Sequence, residues 1–260
     1  MELSLITNNP ALANLAEDAG IDRIFIDLER LGKAERQLNR GLFLSDHCFN
    51  DIERIRHVLR RAKLMVRVDP LHRGSKVQIN NVISAGADLV MLPYFYQLDE
   101  ALRFLDFVGN NAAAVLLVET RAAAEILAEL TRLPGLSEIH IGLNDLSLSF
   151  GKPFLYDLIA DSTIDGLCET LRSSGLPFGF GGIGSLRRRN LPIPPELILA
   201  YQVCQGASRG WLSRSFRETE SSFWKEDVNA LRREIAFWNS ADTGEYEQMR
   251  MKLLRHISEH

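Results

Sequence analysis

Charged side chains close several short apolar runs of this sequence, and these are the residues with chemistry within reach. The runs end Phe25-Ile26-Asp27-Leu28-Glu29-Arg30, Met65-Val66-Arg67-Val68-Asp69, Leu117-Val118-Glu119-Thr120 and Ile141-Gly142-Leu143-Asn144-Asp145-Leu146. Carboxylates from the last two, set side by side, suit a hard divalent cation. Such a cation takes oxygen from one or two carboxylates and fills its other positions with water and substrate. Without a cation, two close carboxylates repel and one takes up a proton. Glu119 and Asp145 are therefore candidate ligands of Mg²⁺ or Mn²⁺, or of another divalent cation. The plainer reading makes them caps or ion-pair partners of rim arginines.

Arg67 reads as an anion clamp, because a guanidinium grips a carboxylate through two hydrogen bonds and keeps its charge in a partly buried cleft. Its plainer role is as a structural partner of Asp27 or Glu29. Those two orient Arg67, hold a metal-bound water, or belong to an ion-pair network. The run Gly179-Phe180-Gly181-Gly182-Ile183-Gly184 reads as backbone open to an anion or as a tight turn. It matches no specific phosphate motif.

For these residues to meet, the runs that carry them must end on one rim. Apolar runs predict eight strands, at 3–7, 23–27, 63–68, 89–93, 114–119, 138–142, 177–181 and 210–213. Stretches of helical periodicity separate them, among them 75–85 and 122–130. Runs such as Val115-Leu116-Leu117-Val118 are apolar on both faces, as parallel strands covered on both sides require. Eight strand–helix alternations favour an α/β fold of the closed (β/α)₈ barrel type, with an open doubly wound sheet as the alternative. In a barrel the chemistry sits where strands end, which is where Asp27, Arg67, Glu119 and Asp145 fall. The expected organisation is one barrel domain over 1–260, with 218–260 a C-terminal helical extension. Trp224, Phe237, Trp238, Leu253 and Leu254 are its expected apolar anchors, packing on this barrel or on a neighbouring subunit.

The bulk numbers narrow the function classes. The chain has 260 residues, 46% of them hydrophobic, and a net charge of −4. No basic excess points to nucleic acid. Arg187-Arg188-Arg189 is the exception, read as an exposed loop patch or as an anionic-ligand or subunit contact. No apolar run reaches the length of a membrane span. The start, Met1-Glu2-Leu3-Ser4-Leu5, does not read as a signal peptide. Cys48, Cys168 and Cys204 make no disulfide framework and no paired metal motif. A cytoplasmic location is the expectation.

Taken together, Asp27-Leu28-Glu29, Val66-Arg67-Val68, Gly86-Ala87-Asp88 with Met91-Leu92-Pro93, Val118-Glu119-Thr120 and Gly142-Leu143-Asn144-Asp145-Leu146-Ser147 resemble the HpcH/HpaI aldolase and citrate lyase β-subunit family. These motifs span roughly 20–155, with weaker similarity to about 215. The resemblance implies a TIM barrel of the phosphoenolpyruvate/pyruvate-binding kind, assembled as a homo-oligomer through C-terminal helices. It implies a divalent metal on Glu119 and Asp145, and Arg67, Asn144 and Leu146 on a small keto-acid substrate. It implies a metal-dependent carbon–carbon lyase working through a pyruvate-type enolate, with Arg67 and Glu29 in the catalytic machinery.

One position departs from both branches of that family. The aldolase branch has histidine directly after its Asp-x-Glu and the citrate lyase branch usually has aspartate; here the residue is Arg30. Arginine is almost never a general base. His47 and His72 are the substitutes at hand, since histidine exchanges protons near neutral pH; His47 is the one carried forward as catalytic. Arg30 with Lys33, Arg36 and Arg40 enlarges an anion site or forms a solvated basic loop. The alternatives are therefore a citrate-lyase-like enzyme, a sugar-acid- or acyl-CoA-directed lyase on the same barrel, or an inactive barrel kept as a binding protein.

Overall fold

The computed structural model describes residues 1–32 and 45–260; Lys33, Arg36 and Arg40 lie outside the described residues. Eight parallel strands close into a barrel in the order β1 to β8. They are β1 (Glu2–Ile6), β2 (Arg23–Asp27), β3 (Lys63–Arg67), β4 (Leu89–Leu92), β5 (Ala113–Val118), β6 (Leu136–Ile141), β7 (Phe178–Ile183) and β8 (Arg209–Leu212). All eight expected strands are present, with shifted ends.

Two apolar layers form because side chains alternate along each strand. The outward set packs under the helices in one large cluster. The inward set, including Phe25, Met65, Met91, Val115 and Leu117, fills the barrel with Trp211 packed against it. On β2 this period of two stacks Arg23, Phe25 and Asp27 on one inward line. At the lower end Arg23 meets Glu138 at 2.5 and 3.1 Å, and Arg209 meets Glu138 at 2.6 Å. In the middle layer His140 stacks on Trp211 at 4.8 Å between ring centroids. The next inward residues reach the upper rim, and Asp27 pairs in register with Arg67.

Helices α1 (Pro10–Asp18), α2 (Asn50–Val58), α3 (Ser75–Ser84) and α4 (Leu98–Val108) follow the first four strands. Asn9 caps α1 by accepting from the N–H groups of Ala11 and Leu12 at 2.9 and 3.2 Å, and proline opens the helix. The helix expected at 122–130 is two short ones, α5 (Arg121–Glu125) and α6 (Leu127–Leu130), because the backbone leaves helical geometry at Ile126 (φ −100°, ψ 15°). Then come α7 (Leu143–Ser149), α8 (Asp157–Ala160), α9 (Thr163–Ser174), α10 (Pro195–Cys204) and α11 (Arg214–Arg217).

The tail is two helices, α12 (Trp224–Ser240) and α13 (Thr243–Ser258), packed on this chain's own barrel. Trp224 is buried beside Phe216, Arg232 bonds Asp22 at 2.5 Å, and Arg250 bonds Asp165 at 2.7 Å. Leu253 is buried as expected of an anchor. Phe237 is not an anchor on this barrel: it is 48% exposed. Among the described residues no helix is long and apolar enough to cross a membrane.

Candidate active site

The upper rim encloses a cavity of about 830 Å³, lined by residues at and beyond the C-terminal ends of the strands. Asp27, Glu29, His47, Arg67, Glu119, Asn144 and Asp145 all line it. Seven of the side chains singled out in the sequence therefore converge.

Arg67 is held from two sides. Its Nε and Nη2 donate to the two Asp27 oxygens at 2.9 and 2.8 Å, and Glu29 Oε2 lies 3.4 Å from Nε. The guanidinium carbon stands 5.6 Å from the Phe25 ring centroid. Burial alone would lower the pKa of this guanidinium, but Asp27 and Glu29 outweigh it and hold the charge firmly in place. Arg67 is thus ion-paired to Asp27 and Glu29, and it lines the cavity.

Glu119 follows β5, and its surroundings fix it closely. The Thr120 hydroxyl caps α5, accepting from the Ala123 N–H at 3.1 Å, and donates to the Phe95 carbonyl at 2.7 Å. The Tyr94 N–H donates to Glu119 Oε1 at 3.0 Å. Tyr94 has φ 46°, a left-handed conformation costly for a residue with a side chain; strain of that kind collects at functional sites. Gly142 gives Glu119 its room: a Cβ there would stand 2.7 Å from Glu119 Oε2 and 2.8 Å from its Cβ. Asp145, in the first turn of α7, is buried in the same cavity wall.

This donor set is two buried carboxylates and no sulfur or imidazole. Among the described residues no group of three or more histidine, cysteine or acidic side chains is placed to hold a metal ion. Two carboxylates with water and substrate oxygens fit the coordination habits of Mg²⁺. Gly142→Ala is expected to turn Glu119 away and break its bond from Tyr94. A crystal structure of the variant checks this; Glu119 left in place would contradict it.

His47 is buried, and its Nδ1 accepts from the Asp27 N–H at 3.0 Å. In the neutral ring the proton then sits on Nε2. Burial pushes the imidazole pKa below its ordinary value, against the opposing pull of Asp27 and Asp46. Arg30 does not line the cavity. Its guanidinium donates to the His47 carbonyl at 2.9 Å, while its N–H donates to Asp69 at 2.7 Å. Arg30 therefore tethers the His47 segment.

Other expectations resolve differently. Leu146 is fully buried in the core and does not line the cavity. His72 folds onto its own turn, Nδ1 accepting from Gly74 at 3.0 Å, away from the cavity. Arg187 pairs with Asp227 and Glu226, Arg188 with Glu218 and Arg189 with Glu196, so the arginine run is an ion-paired loop. The glycine run lies in β7 and one residue past it, and Gly181, Gly182 and Gly184 line the cavity. Gly182 packs against Ser213, and Gly181 (φ 56°) against Leu143, at distances a Cβ would not allow. Tyr94 and Gly142 are site residues to which the sequence assigns no role. A glycine at a strand end was the available signal for Gly142.

No family model matches the chain. A quinolinate synthase of Acidobacterium capsulatum is 33% identical over 98 residues, which are 35% of this chain and 26% of that protein. The match thus spans about a quarter of that relative's length. Solved structures align over nearly the whole chain. An HpcH/HpaI aldolase from Desulfitobacterium hafniense superposes with TM-score 0.65 at 12% identity, covering 89% of this chain and 92% of that one. An HpcH/HpaI aldolase/citrate lyase family protein from Burkholderia cenocepacia gives 0.63 at 15%, covering 89% and 93%. A citrate lyase from Burkholderia xenovorans gives 0.59 at 14%, covering 99% and 92%. The chain has the eight-stranded parallel barrel fold of the HpcH/HpaI aldolase and citrate lyase proteins.

Proposed function

We propose that this protein is a divalent-metal-dependent carbon–carbon lyase that acts on a 2-keto acid through a pyruvate-type enolate. The observation that carries the reading is the convergence of Arg67, Glu119 and Asp145 on one cavity at the strand ends. Glu119 and Asp145 would hold Mg²⁺ or Mn²⁺, which when bound supplies Lewis-acid polarisation of a keto group. Arg67, locked by Asp27 and Glu29, binds the substrate carboxylate and adds positive charge near the developing oxyanion. Asn144 lines the same wall and offers an amide to the substrate.

His47 takes the place left open by Arg30. Its Nδ1 is engaged by the Asp27 N–H, so it works as a neutral donor from Nε2, steadying negative charge on a substrate oxygen. Its lowered pKa keeps that form present below pH 6.5. The acid limb of the rate is therefore expected to have its midpoint below 6.5, where Nδ1 gains a proton and clashes with the Asp27 N–H. In His47→Asn that decline should vanish and the rate should fall by roughly 10²-fold. A pH–rate profile of both proteins checks this, and a His47 limb at or above 6.5 would contradict it.

The inert-barrel reading is disfavoured by cost. Desolvating Arg67, Asp27, Glu29, Glu119 and Asp145 together is expensive, and apolar residues would fill the rim more stably. Assembly through α12 and α13 belongs to the lyase proposal, with Phe237 and Met251 exposed there. The test of the reaction is pyruvate release from 4-hydroxy-2-keto acids by metal-loaded protein. Release of acetyl groups from citrate or acyl-CoA esters instead would move the assignment to the citrate-lyase-like alternative.

A further inference from the structure

The cavity is not uniform. One charged side, Asp27, Glu29 and Arg67, comes from the ends of β2 and β3, and Arg214, Arg217 and Glu218 add charge after β8. In the closed order β1 to β8, β2 and β3 stand across the barrel from β6 and β7. The segments after β6 and β7 supply a different wall: Leu143, Leu155, Tyr156, Leu191, Ile193 and Ile198. Glu119 and Asp145, from the neighbouring ends of β5 and β6, stand between the two.

This apolar wall is built and anchored. The segment after β7 that carries Leu191 and Ile193 is tied to the tail region through Arg187 with Asp227, Arg188 with Glu218, and the Ser185 hydroxyl donating to Asp227 at 3.1 Å. Gly184 lets it close down: a Cβ there would stand 3.0 Å from Leu191 and 3.1 Å from Pro195. On the other segment, Phe154 packs edge-on to Tyr156 at 5.2 Å. Burial raises the Tyr156 phenol to about 12, so it stays neutral and adds no charge to the wall. A pyruvate unit at Arg67 occupies one side of a volume of about 830 Å³. Clefts of about 300–1,000 Å³ enclose much larger ligands.

We propose that this wall is a subsite for an apolar substituent, and that the second reactant is an aldehyde bearing an aryl or branched-alkyl group. The inference rests on the keto-acid reading of the charged half. In the synthetic direction the enolate carbon bonds to the aldehyde carbon. The carbonyl π pair passes to the aldehyde oxygen, and the proton taken up there balances the one lost from the methyl group. Short polar aldehydes would leave Leu155, Leu191 and Ile193 facing water.

Calorimetric titration of the Mg²⁺-loaded protein with pyruvate, benzylpyruvate and the keto-free phenylbutanoate tests this. Benzylpyruvate is expected to bind at least about tenfold more tightly than pyruvate, the scale of discrimination an apolar pocket gives. Leu191→Ser and, separately, Leu155→Ser should bring the two keto acids close to equal. Two variants on different segments guard against one that fails to fold. Pyruvate binding as tightly as benzylpyruvate would overturn the subsite and leave the keto-acid reading standing. Phenylbutanoate binding as well as benzylpyruvate, with the same loss in Leu191→Ser, would uphold the subsite and remove the keto-acid reading. No binding of any of the three would overturn both.

Discussion

Arg67→Met is expected to lose about 3–5 kcal/mol of folding stability, because it leaves buried carboxylates without their cation. Asp27 gives both its oxygens to this guanidinium and Glu29 lies 3.4 Å from it, each side chain almost fully buried. Methionine fills similar space and supplies no donor. Urea unfolding measures the loss. Pairing the change with Asp27→Asn should recover a good part of it, since one uncompensated charge is then gone, and the size of that recovery isolates the ion pair from packing. Keto-acid affinity should stay lost in the double variant, because the anion clamp is missing in both. Full stability in Arg67→Met would mean that the Asp27–Arg67–Glu29 cluster is not the rigid unit its geometry describes.

The second large effect concerns the proposed metal ligands. Glu119→Gln and Asp145→Asn preserve volume and remove charge. Each is expected to abolish the gain in melting temperature that Mg²⁺ or Mn²⁺ gives the parent protein, a gain that follows from binding to the folded state alone. Turnover should fall by roughly 10²–10³-fold, the scale for losing one element of oxyanion stabilisation. Thermal melts with and without the cation, on chelator-stripped protein, read the first effect. A metal-dependent shift surviving in both variants would place the cation elsewhere.

The barrel was legible because its signal is local and repeated. Short apolar stretches, the densest of them like Val115-Leu116-Leu117-Val118, mark eight places at barrel spacing, and every one became a strand. The rim was legible for the same reason: a period of two that buries Phe25 and Met65 inside the barrel carries Asp27 and Arg67 inward at its mouth. What escaped depends on contacts between distant residues. The left-handed Tyr94 donates its N–H to Glu119, 25 residues away, and nothing in Pro93-Tyr94-Phe95 announces it. Arg30 reads as part of an enlarged anion site or of a solvated basic loop, and contacts with Asp69 and the His47 carbonyl, far along the chain, make it a tether. Leu146 was misplaced because it shares a motif with Asp145; one further step around α7 puts it in the core. The apolar wall after β6 and β7 gave no sign, because its leucines look like any others until the barrel closes around a cavity.

The most direct test of the central claim is proton–deuterium exchange at the methyl group of pyruvate, followed by proton NMR in deuterated buffer. Exchange requires the enolate and needs no second reactant, so it does not depend on knowing the aldehyde. Parent protein is expected to exchange the methyl protons only when Mg²⁺ or Mn²⁺ is present, and Asp145→Asn and Arg67→Met, both folded, should not exchange them. Metal-loaded parent protein that leaves the methyl group unexchanged, or exchange that persists undiminished in Asp145→Asn, would contradict it.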